Sequence, residues 1–186
     1  MIITDMKNLL LGFCLYAGWF GCVYLGSRGL GLYALAIPLA AWLLFILLLS
    51  PPHKVFLKSL LLIIPGLIAD SLFLHFHLIR VVPESASVFL PLWMVSLWLL
   101  FVPAIVLLKQ LFAERYLVAA VAGAVLGPLC YKSGAAFGVL FLFGFSALAL
   151  YAVFWGLYMP FVLYAIGDNA NGPHEAARHD NSEDKD

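Results

Sequence analysis

The residues best suited to chemistry lie close together, in the run Asp70-Ser71-Leu72-Phe73-Leu74-His75-Phe76-His77-Leu78-Ile79-Arg80, followed by Pro83 and Glu84. A carboxylate that orients an imidazole is a common general acid–base arrangement, and a carboxylate in apolar surroundings is a candidate proton carrier. On a helix, Asp70 and His77 share nearly one face and Arg80 lies one turn further on, while Ser71 and His75 share a neighbouring face. The spacing permits Asp70 to pair with His77 or with Arg80. Three roles are open to this cluster. Asp70 with His77 or His75 forms a catalytic acid–base set acting on a lipid head group or acyl chain. Alternatively, Asp70 and Arg80 form the substrate or proton site of a small proton-coupled transporter. In the third role Asp70 is paired or protonated and fixes helix packing, with both histidines at the wet interface. A His-x-His pair on a helix points its rings about 200° apart, so no metal site is expected. No P-loop, nucleophile elbow or Rossmann glycine pattern occurs, and no cofactor is expected.

The elements that must position these residues are membrane spans. Of 186 residues, 65% are apolar and 11% charged, with a mean hydropathy of +1.04; a soluble domain is about half apolar and about a quarter charged. That composition excludes a soluble enzyme domain, and it excludes a nucleic-acid binder, which needs a basic stripe to neutralise phosphates. Spans of about 20 apolar residues are expected at 9–25, 31–49, 55–76, 89–108 and 116–131, with a final run at 135–166. The final run has 32 residues, too many for one upright crossing, and Pro160 is the expected bend. No run shows strand-like alternation. The expectation is an all-α, polytopic membrane bundle of about six transmembrane helices over residues 1–166, with an acidic, disordered cytoplasmic tail over 167–186.

The net charge is zero, but it is unevenly placed: the tail carries six acids and two bases, the rest four acids and eight bases. Lys7, Lys54, Lys58, Lys109, Arg115, Arg178 and Lys185 fall on one side of the membrane, and Arg28, Arg80 and Lys132 on the other. The positive-inside rule then puts both termini in the cytoplasm. The first run lacks a small-x-small cleavage pattern and reads as a retained helix.

Small residues recur every four positions at Cys14, Gly18, Cys22 and Gly26, and again at Ala119, Gly123 and Gly127. Such stripes suit helix packing in lipid, and they predict that the first and fifth spans are central. Trp93, just after Pro91, fits an interfacial anchor, with Trp98 one and a half turns deeper; Trp19, Trp42 and Trp155 read as packing residues. Cys14, Cys22 and Cys130 read as buried free thiols. Pro38-Leu39 and Pro128-Leu129 hold corresponding places in two three-helix halves, an echo that an inverted-repeat transporter would leave.

Four segments occur in an order that resembles a known family: Gly18-Trp19-Phe20-Gly21-Cys22-Val23, Gly66-Leu67-Ile68-Ala69-Asp70-Ser71-Leu72, Pro91-Leu92-Trp93-Met94-Val95-Ser96-Leu97-Trp98 and Gly127-Pro128-Leu129-Cys130-Tyr131-Lys132-Ser133-Gly134. The set is similar to the bacterial inner-membrane proteins grouped as domain of unknown function 2878. The resemblance implies a small multi-span inner-membrane protein with no established activity, associated with the modification of membrane lipids. This chain departs from it in the second half of the fourth span: it reads Phe101-Val102-Pro103-Ala104-Ile105-Val106-Leu107-Leu108 where relatives carry Thr, His and Ser, which weakens an enzymatic role. The reading is therefore a non-enzymatic accessory or scaffold for membrane or lipid-modifying machinery. Its expected partners are membrane lipids and a second copy or another membrane protein, with no nucleic acid.

Overall fold

A computed structural model describes residues 2–82 and 90–167, with side chains from Met6 onward. Expectations that fall on Pro83, Glu84 and the tail after Gly167 lie outside the described residues. Six helical spans are present among the described ones: Met6–Ser27, Gly31–Leu49, His53–His75, Leu92–Phe112, Tyr116–Ala136 and Gly144–Gly167. In chain order the elements are α1 (Ile2–Ser27), α2 (Gly31–Ala34), α3 (Ala36–Leu49), α4 (His53–Leu62), α5 (Ile64–His75), β1 (Ile79–Val81), α6 (Leu92–Phe112), α7 (Tyr116–Ala136), β2 (Leu140–Leu142) and α8 (Gly144–Gly167). Helices dominate because a chain in hydrocarbon must satisfy its backbone polar groups internally. The second span consists of α2 and α3, and the third of α4 and α5.

Prolines shape several spans, and the carbonyls released by Pro103 and Pro38 find donors on other helices. Pro103 of α6 has no N–H for the carbonyl of Leu99, and the Trp42 indole donates to that oxygen instead at 2.8 Å. Pro38 likewise leaves the Ala34 carbonyl without its helical donor, and the buried Cys22 thiol points at it at 4.0 Å. At the join of α4 and α5, just before Pro65, the Tyr158 hydroxyl donates to the Leu62 carbonyl at 2.6 Å.

Spans one, three and five end alike. Leu30 N–H donates to Leu25 and Gly29 N–H to Gly26; Leu78 donates to Phe73 and His77 to Leu74; Val139 donates to Gly134 and Gly138 to Ala135. Each is a Schellman ending with its pivot in the left-handed region: Gly29 at φ 71°, His77 at 54° and Gly138 at 73°.

This corrects the reading of 135–166 as one long run bent at Pro160. Gly138 closes α7, β2 follows, and α8 starts at Gly144, also at positive φ; Pro160 lies within a continuous α8. The short strands were not anticipated either. β1 and β2 pair antiparallel, Ile79 with Leu142, Arg80 with Phe141 and Val81 with Leu140. Ile79, Val81 and Leu140 are buried, so this ribbon caps the bundle on the side where spans one, three and five end.

The centre is α6, and not the first and fifth spans as their small-residue stripes suggest. It is the most buried span and touches all the others, whereas α7 and α8 form the most intimate pair. Those stripes face separate partners. Gly18 packs against Ile37 and Leu100, and at Gly26 an added Cβ would meet Trp93 at 2.6 Å. On α7, Ala119 is buried, Gly123 packs against the Trp155 backbone and Met159, and Gly127 against the Trp155 ring. Cys14 borders Ala36, Ile37 and Ala40 of the second span. Trp93 is 4% exposed; it fills the gap left by Gly26 and is not an interfacial anchor.

Candidate functional site

Asp70 lies on α5, five residues before the helix ends at His75, and is 2% exposed. Its carboxylate collects donors from three other spans. Trp98 Nε1 of α6 donates to Oδ2 at 2.7 Å, while the hydroxyls of Tyr131 (α7) and Tyr151 (α8) donate to Oδ1 at 2.7 and 3.1 Å. Three neutral donors occupy most of the roughly four lone-pair positions of a carboxylate, so one side chain ties four of the six spans.

Local sequence explains the convergence. Gly66, one turn before Asp70, leaves no room for a Cβ beneath the Trp98 ring, and that absence lets the indole lie against α5 with its N–H beside the carboxylate. The Tyr131 and Tyr151 rings stack at 3.6 Å, and Phe73 meets the Tyr151 ring edge-on at 4.3 Å, which holds both hydroxyls over Oδ1. Trp155 stacks on Trp98 at 5.5 Å from the other side. Its own Nε1 is buried and has no acceptor among the described residues.

The other residues of the sequence cluster stand apart. His75, His77 and Arg80 are exposed. Neither the Asp70–His77 nor the Asp70–Arg80 pairing forms, because the helical spacing on which both depend stops at His75. Beyond it His77 turns the chain, and Arg80 is on β1 with its guanidinium 5.0 Å above the Phe141 ring. Ser71 donates to the Leu67 carbonyl at 2.7 Å. Among the described residues no three His, Cys, Asp or Glu side chains come within reach of one metal ion. Cys22 is buried and Cys14 half-buried, but Cys130 is exposed, contrary to the expectation of three buried thiols; in a span, apolar neighbours do not distinguish core from lipid.

Asp70 borders a crevice between α6 and α7 whose lining is overwhelmingly apolar, unlike the polar mid-membrane cavity that proton-coupled transport calls for. Both carboxylate oxygens accept hydrogen bonds, and the cluster links α5 to α6, α7 and α8. Tyr131 and Tyr151 were not found from the sequence. A usable signal was depth: Asp70, Trp98, Tyr131 and Tyr151 all lie five to seven residues from the same end of their spans.

One family model, described as Protein of unknown function (DUF2878), matches residues 8–161. The comparison with curated proteins and the comparison with solved structures each return no match.

Proposed function

We propose, for a chain that belongs to the DUF2878 family and inherits no activity from it, that it is a non-enzymatic accessory or scaffold of the bacterial inner membrane, supporting membrane or lipid-modifying machinery. The observation that carries this reading is the engagement of both Asp70 carboxylate oxygens by Trp98, Tyr131 and Tyr151. The one intramembrane carboxylate among the described residues is used to join helices, and the histidines that would complete a catalytic set sit elsewhere. The family resemblance to proteins of lipid-modifying neighbourhoods supports the setting, and the excess of Lys and Arg at the second-to-third and fourth-to-fifth loops supports cytoplasmic termini.

The test combines a deletion strain with reconstitution. Native protein and Asp70→Asn, matched for folded amount, should restore the membrane lipid profile of the deletion strain equally. Native protein mixed with total membrane lipid should leave every lipid species unchanged by mass spectrometry. Lipid turnover by the native protein that disappears in folded Asp70→Asn would overturn the reading and make Asp70 catalytic.

A further inference from the structure

The crevice between α6 and α7 has a volume of about 320 Å³, at the small end of the ~300–1,000 Å³ typical of ligand pockets. It exists because the two walls are unequal. On α7 the lining positions Ala122, Gly123, Gly127 and Gly134 are small, and α8 lines the crevice beside them with Trp155 and Met159. The α6 side of the gap is lined by Leu108, Leu111 and Phe112. Leu111 and Leu126, one from each wall, are 74% and 58% exposed. Both belong to spans, so the medium facing this opening is hydrocarbon.

Length and ends narrow the occupant. From Phe112 to Trp98 the α6 wall covers about 21 Å at 1.5 Å per residue, more than the ~15 Å that is half of a ~30 Å hydrocarbon core. The far end is lined by Trp93, Leu140 and Trp19, and the Trp19 ring meets the Phe137 ring at 6.4 Å. The near end runs into the loop Ala113–Arg115 that joins the two walls. There Arg115 is exposed, Lys109 holds the Ile166 carbonyl at 3.4 Å, and Glu114 is exposed near them, so among the described residues the mouth is net positive. A slot that is apolar, longer than a leaflet is deep and positive at its mouth matches one hydrocarbon chain attached to an anionic head.

We propose that the crevice holds one acyl chain of an anionic phospholipid from the leaflet that meets the α6–α7 loop, with the phosphate at Arg115 and the chain reaching the Asp70 cluster. This goes beyond the accessory reading and does not depend on it, since a bound lipid is compatible with a scaffold or an enzyme.

The experiment is native mass spectrometry of the full chain in neutral detergent, titrated with dioleoyl phosphatidylglycerol and, separately, dioleoyl phosphatidylcholine. One phosphatidylglycerol should be retained per chain, bound several-fold more tightly than phosphatidylcholine. Ala122→Trp and Cys130→Phe, which fill the slot, should each weaken phosphatidylglycerol retention roughly tenfold. Arg115→Gln should remove the preference between the two lipids while leaving phosphatidylcholine binding as it was. Equal retention of the two lipids by native protein would overturn the proposal, as would native-like retention by the slot-filling variants. Cys130 is exposed, so Cys130→Phe decides the matter if Ala122→Trp does not fold.

Discussion

Replacing Asp70 by Ala removes the acceptor for three buried donors, Trp98 Nε1 and the Tyr131 and Tyr151 hydroxyls. In SDS-driven unfolding the helices remain inserted in a micelle, so the insertion cost of the carboxylate is present in both states and largely cancels. What changes is the bonding between helices. Interhelical hydrogen bonds in membranes average about 0.6 and reach about 1.7 kcal/mol, so three of them give a loss of about 2–5 kcal/mol. Asp70→Asn retains one oxygen for the two tyrosines but turns an amide towards the Trp98 N–H, donor against donor, and should lose less. The sharper test is compensation. Removing both members of a buried pair costs far less than removing one, so Trp98→Phe, Tyr131→Phe and Tyr151→Phe added to Asp70→Ala should recover much of the deficit. The assay is tryptophan fluorescence against SDS mole fraction, with Trp98→Phe as the spectroscopic reference. An Asp70→Ala protein within about 0.5 kcal/mol of native, or a quadruple variant that falls as far as the four single changes added together, would refute the role of Asp70 as the joint.

Two further outcomes follow from backbone geometry. Trp42→Phe strands the Leu99 carbonyl and should cost about 1–2 kcal/mol, while Pro103→Ala in that background restores an N–H to the same oxygen and should return part of the loss; the same unfolding assay reads both. His77→Gly should stabilise the protein by up to about 1 kcal/mol, because a left-handed pivot costs a residue with a Cβ but not glycine, and a lower unfolding midpoint would contradict the Schellman assignment.

Spans were legible in the sequence because hydrocarbon thickness demands some 20 apolar residues in a row, and the charged or Pro-rich segments at Arg28, Ser50-Pro51-Pro52 and Lys109 interrupt those rows in plain view. The division of 135–166 was not, since Gly138 and Gly144 break the helix inside a stretch that stays apolar throughout. Asp70 drew notice because carboxylates are costly in a bilayer. Its partners did not, for two reasons: the pairing with His77 presumed a helix that in fact stops at His75, and the true donors come from three later spans whose side-by-side placement no periodicity within one span encodes. Trp98 and Tyr131 fall within the family-like segments, and nothing in those segments links either to Asp70. The two stripes of small residues were visible, but not which helix each one meets.

The strand pairing and the Asp70 cluster also impose an order on biosynthesis. Residues 79–81 emerge 61 positions ahead of their partners at 140–142, and Asp70 precedes Tyr131 by 61 positions and Tyr151 by 81. At about 5–20 residues per second, β1 waits some 3–12 s with an unpaired edge, and Asp70 enters the membrane ahead of all three of its donors. The chain is thus born with a carboxylate that costs about 2.5–3.5 kcal/mol to insert, a debt held by the insertion machinery until the last helix arrives. A chain that stops before Tyr151 leaves in the bilayer a fragment whose buried carboxylate lacks one of its three donors.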